Sequence, residues 1–385
     1  MANHSTIMKS LESAISRYEF QNAVDFFQGD KGVRRFTTKQ MFSSLIFGQV
    51  QNSYSIRDIE HSLNANEHRL YHAGLSRIKR STFADAMEKR DHRIFFRIYE
   101  ELYGKAIVLT GGIKRRFKNP LRLVDATMVE VNVKKYSWAR FRQTKGGIKL
   151  HLSYDSETEL PDQMFFTDGK VADVNRLNSF GFEEGTIVVL DRGYCDYNSL
   201  YRIEINGGFF VTRLKKNGCY GIEEVFSENT DGLVRRDMKV SFTKPQAAKD
   251  YPKSVRIVEY YDEEKDRVFS FLTNDFTHTA QEIADMYKER WKIELFFKWM
   301  KQNLKIKTFW GTSQNAVLIQ IWVALIMYLL LWIMKIKNGI ALSLQRIRQI
   351  LKTTLFERKS LETLFKPPPR AVIRVLEPYL FEGVS

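Results

Sequence analysis

One segment of the chain is so apolar that it restricts the fold more than any other feature. Residues 316–334 read AVLIQIWVALIMYLLLWIM, in which Gln320 is an isolated amide. This length is at the threshold for a membrane-spanning helix, which needs about 20 apolar residues. The alternative is a helix buried on every side in a large core. Long charged segments flank the run, and the rest of the chain is explained without a membrane, so we expect a core helix.

Composition favours a globular protein with an anionic partner. The 385 residues are 44% hydrophobic and 27% charged, which excludes intrinsic disorder. The net charge of +15 indicates nucleic acid or an anionic membrane as the partner. Cys195 and Cys219 are too few for a disulfide framework or a cysteine-based zinc site, so a reducing cytoplasm fits. Residues 1–20 contain no continuous apolar run, so we predict no secretory signal.

Residues 1–105 have the pattern of an α-helical region. Suitable N-cap residues are present for three helices: Thr38, Ser55, and Ser81 or Thr82. The third helix follows the basic segment 77–80, as in a helix-turn-helix unit that reads DNA. We interpret 1–105 as a DNA-binding region; the alternative is an ordinary helical bundle with a solvated basic face.

Beyond about residue 118 the sequence mixes strands and helices. Segments 118–213 and 274–337 contain apolar strands, a hairpin and amphipathic helices, which predicts an α/β core with a mixed sheet. Between them, 214–273 has short strand-like pieces and no persistent helical pattern, so we predict a mostly-β insertion. Residues 338–385 are predicted to form a basic helical tail.

Two aspartates occupy strand positions where a carboxylate is costly unless it is paired or bound. Asp125 lies inside the strand-like run PLRLVDATMVEVNV. Asp191 ends the apolar run IVVL and precedes a glycine turn, and ligands gather at such strand ends in open α/β sheets. Taken singly, either residue could instead bond the backbone or cap a turn.

Four polar residues share one face of the next predicted helix, 277–305. At ~100° per residue, Tyr287, Arg290, Glu294 and Lys301 fall within a stripe roughly 60° wide. A neighbouring apolar stripe marks the core side: Met286, Ile293, Phe297, Met300 and Leu304. On spacing alone, a solvated face with an Arg290–Glu294 pair is the favoured interpretation.

Taken together, the three acids Asp125, Asp191 and Glu294 indicate a metal-binding site, which none of them does alone. Two Asp on strands of one sheet and a Glu on a packed helix can converge on two divalent cations that prefer oxygen ligands, such as Mg²⁺. Two such ions support in-line phosphoryl transfer, which suits a basic protein that binds DNA. The sequence has no phosphate-binding loop, no dinucleotide fingerprint and no histidine or cysteine metal spacing, which disfavours an NTPase, a dinucleotide enzyme and a zinc hydrolase.

These residues resemble those of the bacterial insertion-sequence transposases of the DDE type. One branch of that family carries a Tyr-x2-Arg-x3-Glu-x6-Lys signature, which reads YKERWKIELFFKWMK over 287–301 here. The second acid's context, DRGY at 191–194, is also similar, as is DAT at 125–127. The resemblance extends over roughly residues 30–337.

The resemblance implies a ribonuclease H-like catalytic core in which Asp125, Asp191 and Glu294 hold two Mg²⁺ ions, with Mn²⁺ as a substitute. It implies cutting at the ends of the element and joining of the 3′-hydroxyl to target DNA. The implied DNA contacts are made by five side chains: Tyr287, Arg290, Lys301, Lys298 and Arg192. The implied partners are terminal inverted repeats and target DNA, with a homodimer in the synaptic complex. The resemblance also implies a bacterial protein that is located in the cytoplasm, is associated with the nucleoid and does not bind a membrane.

One departure concerns the insertion. In the best-known members a Trp there stacks a flipped base, but this chain has no Trp between Trp138 and Trp291. Phe269 or Phe271 is the expected substitute, because any large aromatic face can stack a base. The alternative is that both are core residues of a strand, and hairpin formation stays open.

Three other functions remain compatible with the sequence. The first is a nuclease on the same core that cuts DNA without strand transfer. The second is an inactive DNA-binding derivative, although all three acids are present. The third is a basic membrane-associated protein, which requires residues 316–334 to enter lipid.

Overall fold

The first part of the protein is all helical, as the sequence predicts. The computed structural model describes residues 5–140, 146–215 and 218–365. Seven helices come first: α1 Ile7–Glu12, α2 Arg17–Phe26, α3 Thr38–Gln51, α4 Ile56–Asn64, α5 Glu67–Leu70, α6 Arg80–Lys89 and α7 Arg93–Leu109.

Helix starts in this region follow tertiary contacts as well as local signals. Ser55 caps α4 in a reciprocal capping box, as predicted. The prediction for α3 is wrong by one residue: Thr37 is the cap, because Asp30 accepts both the backbone N–H and the hydroxyl of Thr38.

The prediction that Ser81 or Thr82 caps α6 is also wrong. This helix begins earlier, at Arg80, after a residue without a side-chain cap. The Glu60 carboxylate accepts the Arg80 N–H at 3.0 Å instead. A side chain from α4 therefore supplies the N-terminal bond that a local cap would have made.

The strands of the described chain form one mixed sheet. They are β1 Leu121–Val131, β2 Gly146–Asp155, β3 Pro161–Asp168, β4 Ile187–Leu190, β5 Phe209–Arg213, β6 Tyr220–Glu228, β7 Val234–Phe242, β8 Val255–Asp262 and β9 Arg267–Thr273. Their spatial order is β3-β2-β1-β4-β5-β9-β8-β7-β6. Strands β1, β4 and β5 are parallel, and the other pairs are antiparallel. The predicted hairpin is β2–β3, and the predicted central strand is β4. The strands of segment 214–273 continue this sheet from β5 outward.

The remaining helices cover the sheet or close the chain: α8 Val174–Leu177, α9 Tyr197–Ile205, α10 Pro245–Asp250, α11 Ala280–Glu289, α12 Trp291–Asn303, α13 Gln314–Lys337, α14 Leu344–Thr354 and α15 Leu361–Phe365. Helix α10 was not predicted; it starts with Pro at its first turn, where a missing N–H costs nothing.

The predicted single helix over 277–305 is two helices that meet at Arg290. Arg290 keeps right-handed helical angles, with φ −50° and ψ −29°. The junction uses shorter i→i+3 bonds, from Arg290 N–H to the Tyr287 carbonyl and from Ile293 N–H to the Arg290 carbonyl. The predicted apolar stripe on these helices is buried.

The apolar segment 316–334 is the core of α13, and every residue in it is buried. Helix α13 is long and apolar enough to cross a membrane, yet its whole apolar window lies inside the protein. Helices α3, α6 and α7 pack on it from the N-terminal region. From the sheet side, Phe166 of β3 meets the Trp322 ring at 5.2 Å. The core-helix interpretation therefore describes this fold.

Gln320 is the isolated amide of α13, and it anchors the connection from α12. Its side-chain N–H₂ donates to the carbonyls of Lys305 and Thr308, at 2.5 and 3.0 Å. Its carbonyl accepts the Trp310 N–H at 2.8 Å. This one buried amide thus satisfies three backbone groups that would otherwise be without partners.

Replacing Gln320 by Leu should destabilise the protein by about 3 kcal/mol, because each buried backbone group left unpaired costs about 1–3 kcal/mol. Gln314, exposed at the start of the same helix, is the matched control. Urea unfolding should give Q314L within about 0.5 kcal/mol of the wild type. Equal free energies of unfolding for both variants would show that Gln320 does not anchor the connection.

Candidate active site

Asp125 and Asp191 lie side by side because their strands are parallel neighbours. The register of β1 and β4 pairs Val124 with Leu190, so the next positions along both strands are the two aspartates. Alternation along β1 places Leu123 on the sheet face beneath α12 and α13, and Asp125 lies on that same face. The two carboxylates therefore meet at the carboxyl end of β4.

Asp191 ends its strand and starts a tight turn. It precedes a 3₁₀ turn over Arg192–Tyr194, and its Oδ2 accepts the Gly193 N–H at 3.3 Å. A side chain at Gly193 is not sterically excluded, since the nearest heavy atom to an added Cβ is Asp191 Oδ2 at 3.7 Å. The turn exposes Arg192 beside the carboxylate.

Glu294 reaches the site from α12, which packs on β1. Its Oε1 forms an ion pair with Arg290 Nη2 at 2.6 Å. The predicted i,i+4 pair is therefore present, on the face that also approaches the two aspartates. The side chain of Glu294 is 35% exposed, so solvent and a bound strand can reach it.

The charge balance of the three acids is visible in Asp125. Burial is the main cause that raises the pKa of Asp125 to about 6, and the nearby carboxylates of Asp191 and Glu294 contribute a smaller part of this rise. The Ala126 N–H, which Asp125 Oδ1 accepts at 2.8 Å, and the Arg290 guanidinium lower this pKa. Asp125 is therefore a buried carboxyl that lies within electrostatic reach of both other acids and of Arg290.

The donor set fits a hard divalent cation. Three carboxylates supply oxygen ligands, which Mg²⁺ prefers, and a bound cation would stabilise the ionised form of Asp125 that burial disfavours. Within the described residues, no three acidic, histidine or cysteine side chains are already gathered tightly enough to enclose an ion. Glu294 accounts for part of this, because Arg290 holds its carboxylate.

Tyr287 and Arg290 line the site with unused donors. The Tyr287 hydroxyl and Arg290 Nε are buried and have no hydrogen-bond partner among the described residues. Burial raises the pKa of Tyr287; the nearby cations Arg290 and Arg213 lower it, and Asp191 raises it. Buried donors without partners are rare, and here they face a region of strong charge.

Lys301 lies against β1. Its Nζ donates to the hydroxyl of Thr127, two residues beyond Asp125 on the same face. Burial and the neighbouring Lys307 lower the pKa of Lys301. Lys298, one turn earlier, is exposed. The four predicted stripe residues therefore extend along the edge that carries Asp125 and Asp191.

Phe269 and Phe271 are both buried, with 8% and 3% of their surface exposed. Phe271 packs on the Tyr287 ring at a centroid distance of 4.7 Å, and Phe269 is flanked by cationic side chains. Neither ring presents an open face in this arrangement. Base stacking by either ring stays a prediction, and it requires these neighbours to move.

Two contributors were not found from the sequence. Arg213 is the last residue of β5 and lies beside the site. The sequence signal that could have identified it is its position at the end of the strand that follows β4 and α9 in the chain. Arg256 forms a buried ion pair with Asp237, and its Nη1 donates to the carbonyls of Asp275 and His278 just before α11. No local sequence pattern indicates the contacts of Arg256, because Asp237, Asp275 and His278 are each about 20 residues away in the chain.

Comparison with known families agrees with this geometry. The family described as the transposase DDE domain matches residues 116–330, which contain all three acids and the signature. The chain belongs to the insertion-sequence transposases of the DDE type. It is accordingly an enzyme of DNA transposition, which cuts and joins DNA. A domain of unknown function, DUF4372, matches residues 3–76 of this transposase.

Its relatives span most of its length. A putative transposase of Sinorhizobium fredii is 32% identical over 291 residues, which are 74% of this chain and 80% of that protein. A probable transposase for the insertion sequence element IS5377 of Geobacillus stearothermophilus is 29% identical over 333 residues, 86% and 85% of the two chains.

A solved structure supports the fold. The piggyBac transposase, in a synaptic complex with hairpin DNA determined by cryo-EM, matches with a TM-score of 0.52 at 10% identity. The match covers 95% of this transposase and 83% of that chain. The likeness shows a shared ribonuclease H-like core, as the sequence predicts.

Replacing Asp125 by Asn should stabilise the metal-free protein at neutral pH. Below pH 3.8 the carboxyl is neutral whether the chain is folded or not; between 3.8 and about 6 it stays neutral only in the fold. Ionisation therefore destabilises the fold increasingly up to pH 6 and by a constant amount above it. We expect the free energy of unfolding of D125N to be about 1–3 kcal/mol higher than that of the wild type at pH 7.5.

This gain in the stability of D125N over the wild type should vanish near pH 4. Urea unfolding in the presence of a metal chelator measures it. Asp231→Asn, at an exposed position of the β6–β7 turn, is the control and should show no pH-dependent gain. Equal stability of D125N and wild type at pH 7.5 would contradict the cost of ionising the buried Asp125 carboxyl at this site.

Proposed function

We propose that this transposase cuts at the ends of an insertion sequence and joins the freed 3′-hydroxyl to target DNA, with two Mg²⁺ ions held by Asp125, Asp191 and Glu294. The observation that carries the proposal is the placement of Asp125 and Asp191 at adjacent positions of parallel strands, with Glu294 above them on α12. The electrostatic influence of Asp191 and Glu294 on Asp125 supports the same conclusion, because it places the three carboxylates near one another.

The bound ions would supply Lewis-acid activation of the attacking oxygen and charge stabilisation of the leaving oxygen. The role of the protein residues is to hold the ions and to orient the DNA strand. Asp125 and Asp191 are fixed by the sheet, whereas Glu294 is on a helix and paired with Arg290. Arrival of a DNA phosphate gives Arg290 an alternative anionic partner, which frees Glu294 to turn toward the aspartates.

Phosphate recognition is the role proposed for the signature cations. The unpartnered Tyr287 hydroxyl and Arg290 Nε can donate to phosphate oxygens beside Asp191. Lys301, held at Thr127, and exposed Lys298 extend this recognition along β1. Arg192 does so from the opposite side, next to Asp191.

The proposed substrates are terminal inverted repeats and target DNA. Residues 1–105 are proposed to bind the repeats, with 214–273 as an insertion and 338–385 as a basic tail. Arg77, Lys79 and Arg80 are exposed where α6 begins, which suits contacts with a DNA backbone. A homodimer is proposed for the synaptic complex, since two ends are cut together. We place the protein in the bacterial cytoplasm, at the nucleoid.

The test is cleavage of DNA that carries the element's own terminal repeats, in Mg²⁺. Asp191→Ala and Glu294→Ala should each reduce end-specific cutting by more than about 100-fold, because losing even an outer partner of a metal ligand costs 10–100-fold. Mn²⁺ should replace Mg²⁺ for the wild type. Repeat binding in Ca²⁺ should be unchanged.

Glu101→Ala, exposed on α7, is the control and should cut like the wild type. Undiminished cutting by both site variants would overturn the site assignment. Cutting without joined products, from a wild type supplied with target DNA, would favour a nuclease without strand transfer. Tight binding with no cutting by the folded wild type would favour an inactive DNA-binding derivative.

A further inference from the structure

The row of side chains that contains the two aspartates continues across the sheet. In the β4–β5 register Val189 pairs with Val211, so two positions further along these parallel strands Asp191 lies opposite Arg213. Arg213 in turn pairs with Phe271 of β9. Asp125, Asp191, Arg213 and Phe271 therefore follow one another on four adjacent strands, on the face that α11 and α12 cover.

Arg213 is part of a cation cluster built on one aromatic ring. The Arg213 guanidinium lies 4.6 Å from the centroid of the Phe269 ring, and the Arg267 guanidinium lies 4.3 Å from it. Lys265 approaches the same ring at 5.5 Å. Phe269 itself is buried, so its ring is a fixed platform that sets the position of the cations.

Two of these cations lack a neutralising partner. Neither Arg213 nor Arg267 forms an ion pair with any residue in the described ranges. Lys265 differs, because Asp262 holds its Nζ at 3.4 Å. Two guanidinium groups collected at one ring repel each other, and the ring quadrupole offsets only about 0.5–2 kcal/mol per cation. Anions bound to the two groups would offset that repulsion.

Acidic residues are present at the nearby β8–β9 turn, but they are engaged or directed elsewhere. Asp262 pairs with Lys265, and Asp266 accepts the Tyr261 hydroxyl at 2.5 Å. Glu263 and Glu264 are exposed at the tip of the turn. None of the four carboxylates pairs with Arg213 or Arg267 in the described structure, so both guanidinium groups stay available to an external anion.

We propose that Arg213 and Arg267, positioned by Phe269, each bind a backbone phosphate of the DNA strand beside the cleavage site. This inference rests on the function proposed above. Neighbouring strands are about 4.8 Å apart, so Arg213 is one strand and β9 two strands from Asp191. A DNA strand advances about 3.4 Å of helix axis per phosphate, so the cluster meets a phosphate within a few nucleotides of the scissile one.

The proposal gives Phe269 a different task from base stacking. Its ring serves as the platform for two guanidinium groups, and those groups contact the sugar–phosphate backbone. Tyr287, whose hydroxyl has no partner among the described residues, connects this cluster to the metal-binding side. Its ring packs on Phe271 at 4.7 Å, and Phe271 stacks on Phe269 at 6.1 Å. The Arg290 guanidinium lies 5.8 Å from the centroid of the Tyr287 ring. A continuous phosphate path thus leads from Arg290 past Tyr287 to Phe269. Recognition of this kind is independent of base sequence.

The experiment measures how salt affects binding to terminal-repeat duplexes in Ca²⁺, by fluorescence anisotropy. R213Q and R267Q should each weaken binding about ten-fold and reduce the slope of log K against log salt concentration by about 0.9, the value for one phosphate contact. R213K, which keeps the charge, should retain most of the slope. K249Q, an exposed cation on α10 at the other face of the sheet, is the matched control and should leave the slope unchanged.

Duplexes with one neutral methylphosphonate linkage locate the contact. One linkage near the cut should weaken wild-type binding but leave R213Q binding unchanged, because the contact is already lost. Wild-type slopes for both R213Q and R267Q would overturn the proposal. A second result would also overturn the proposal. In it, F269L abolishes the 2-aminopurine signal of an unstacked terminal base while R213Q and R267Q bind DNA normally, which would indicate that Phe269 stacks a base.

Failure of this inference is distinguishable from failure of the proposed function. If D191A and E294A abolish cutting while R213Q and R267Q keep the wild-type slope, the metal site stands and the phosphate site is rejected. Thermal unfolding of each variant verifies that it is folded at the temperature of the assay.

Discussion

Complete burial of α13 is the constraint on which the rest of the structure depends. An apolar helix of this length is insoluble unless both of its sides are covered. The N-terminal helices cover one side, and α12 with the β2–β3 hairpin covers the other. The Tyr328 hydroxyl donates to the Glu159 carbonyl, and the Trp332 indole donates to the Thr158 carbonyl. The helix therefore joins the N-terminal region and the catalytic sheet in one core.

The same burial sets the position of the catalytic acids. Phe296 and Trp299 of α12 pack on Tyr328 at 5.0 and 5.3 Å, which fixes the helix from one side while β1 contacts it from the other. Glu294 lies on this clamped helix, and Asp125 lies on the strand beneath it. Parallel pairing then brings Asp191 alongside. Precision at the site thus comes from packing far outside it.

Much of this arrangement is predictable from sequence because its signals are local. The apolar run, the acid at the end of strand β4 and the helical spacing of the signature need only neighbouring residues to be recognised. Contacts between distant segments are not predictable in this way. Glu60 decides where α6 begins, Gln320 anchors a connection that comes before it in the chain, and Arg213 gains its place from strand register. Each depends on tertiary neighbours that no local pattern records.

The central claim is that Asp125, Asp191 and Glu294 act as one metal-binding set. Anomalous diffraction from crystals of the protein with terminal-repeat DNA and Mn²⁺ tests it most directly. The account predicts two manganese peaks bounded by these three carboxylates, with Glu294 released from Arg290 and Arg290 on a phosphate. Manganese bound elsewhere, or an ordered DNA end at the site with Glu294 still paired to Arg290 and no metal between the aspartates, would contradict it.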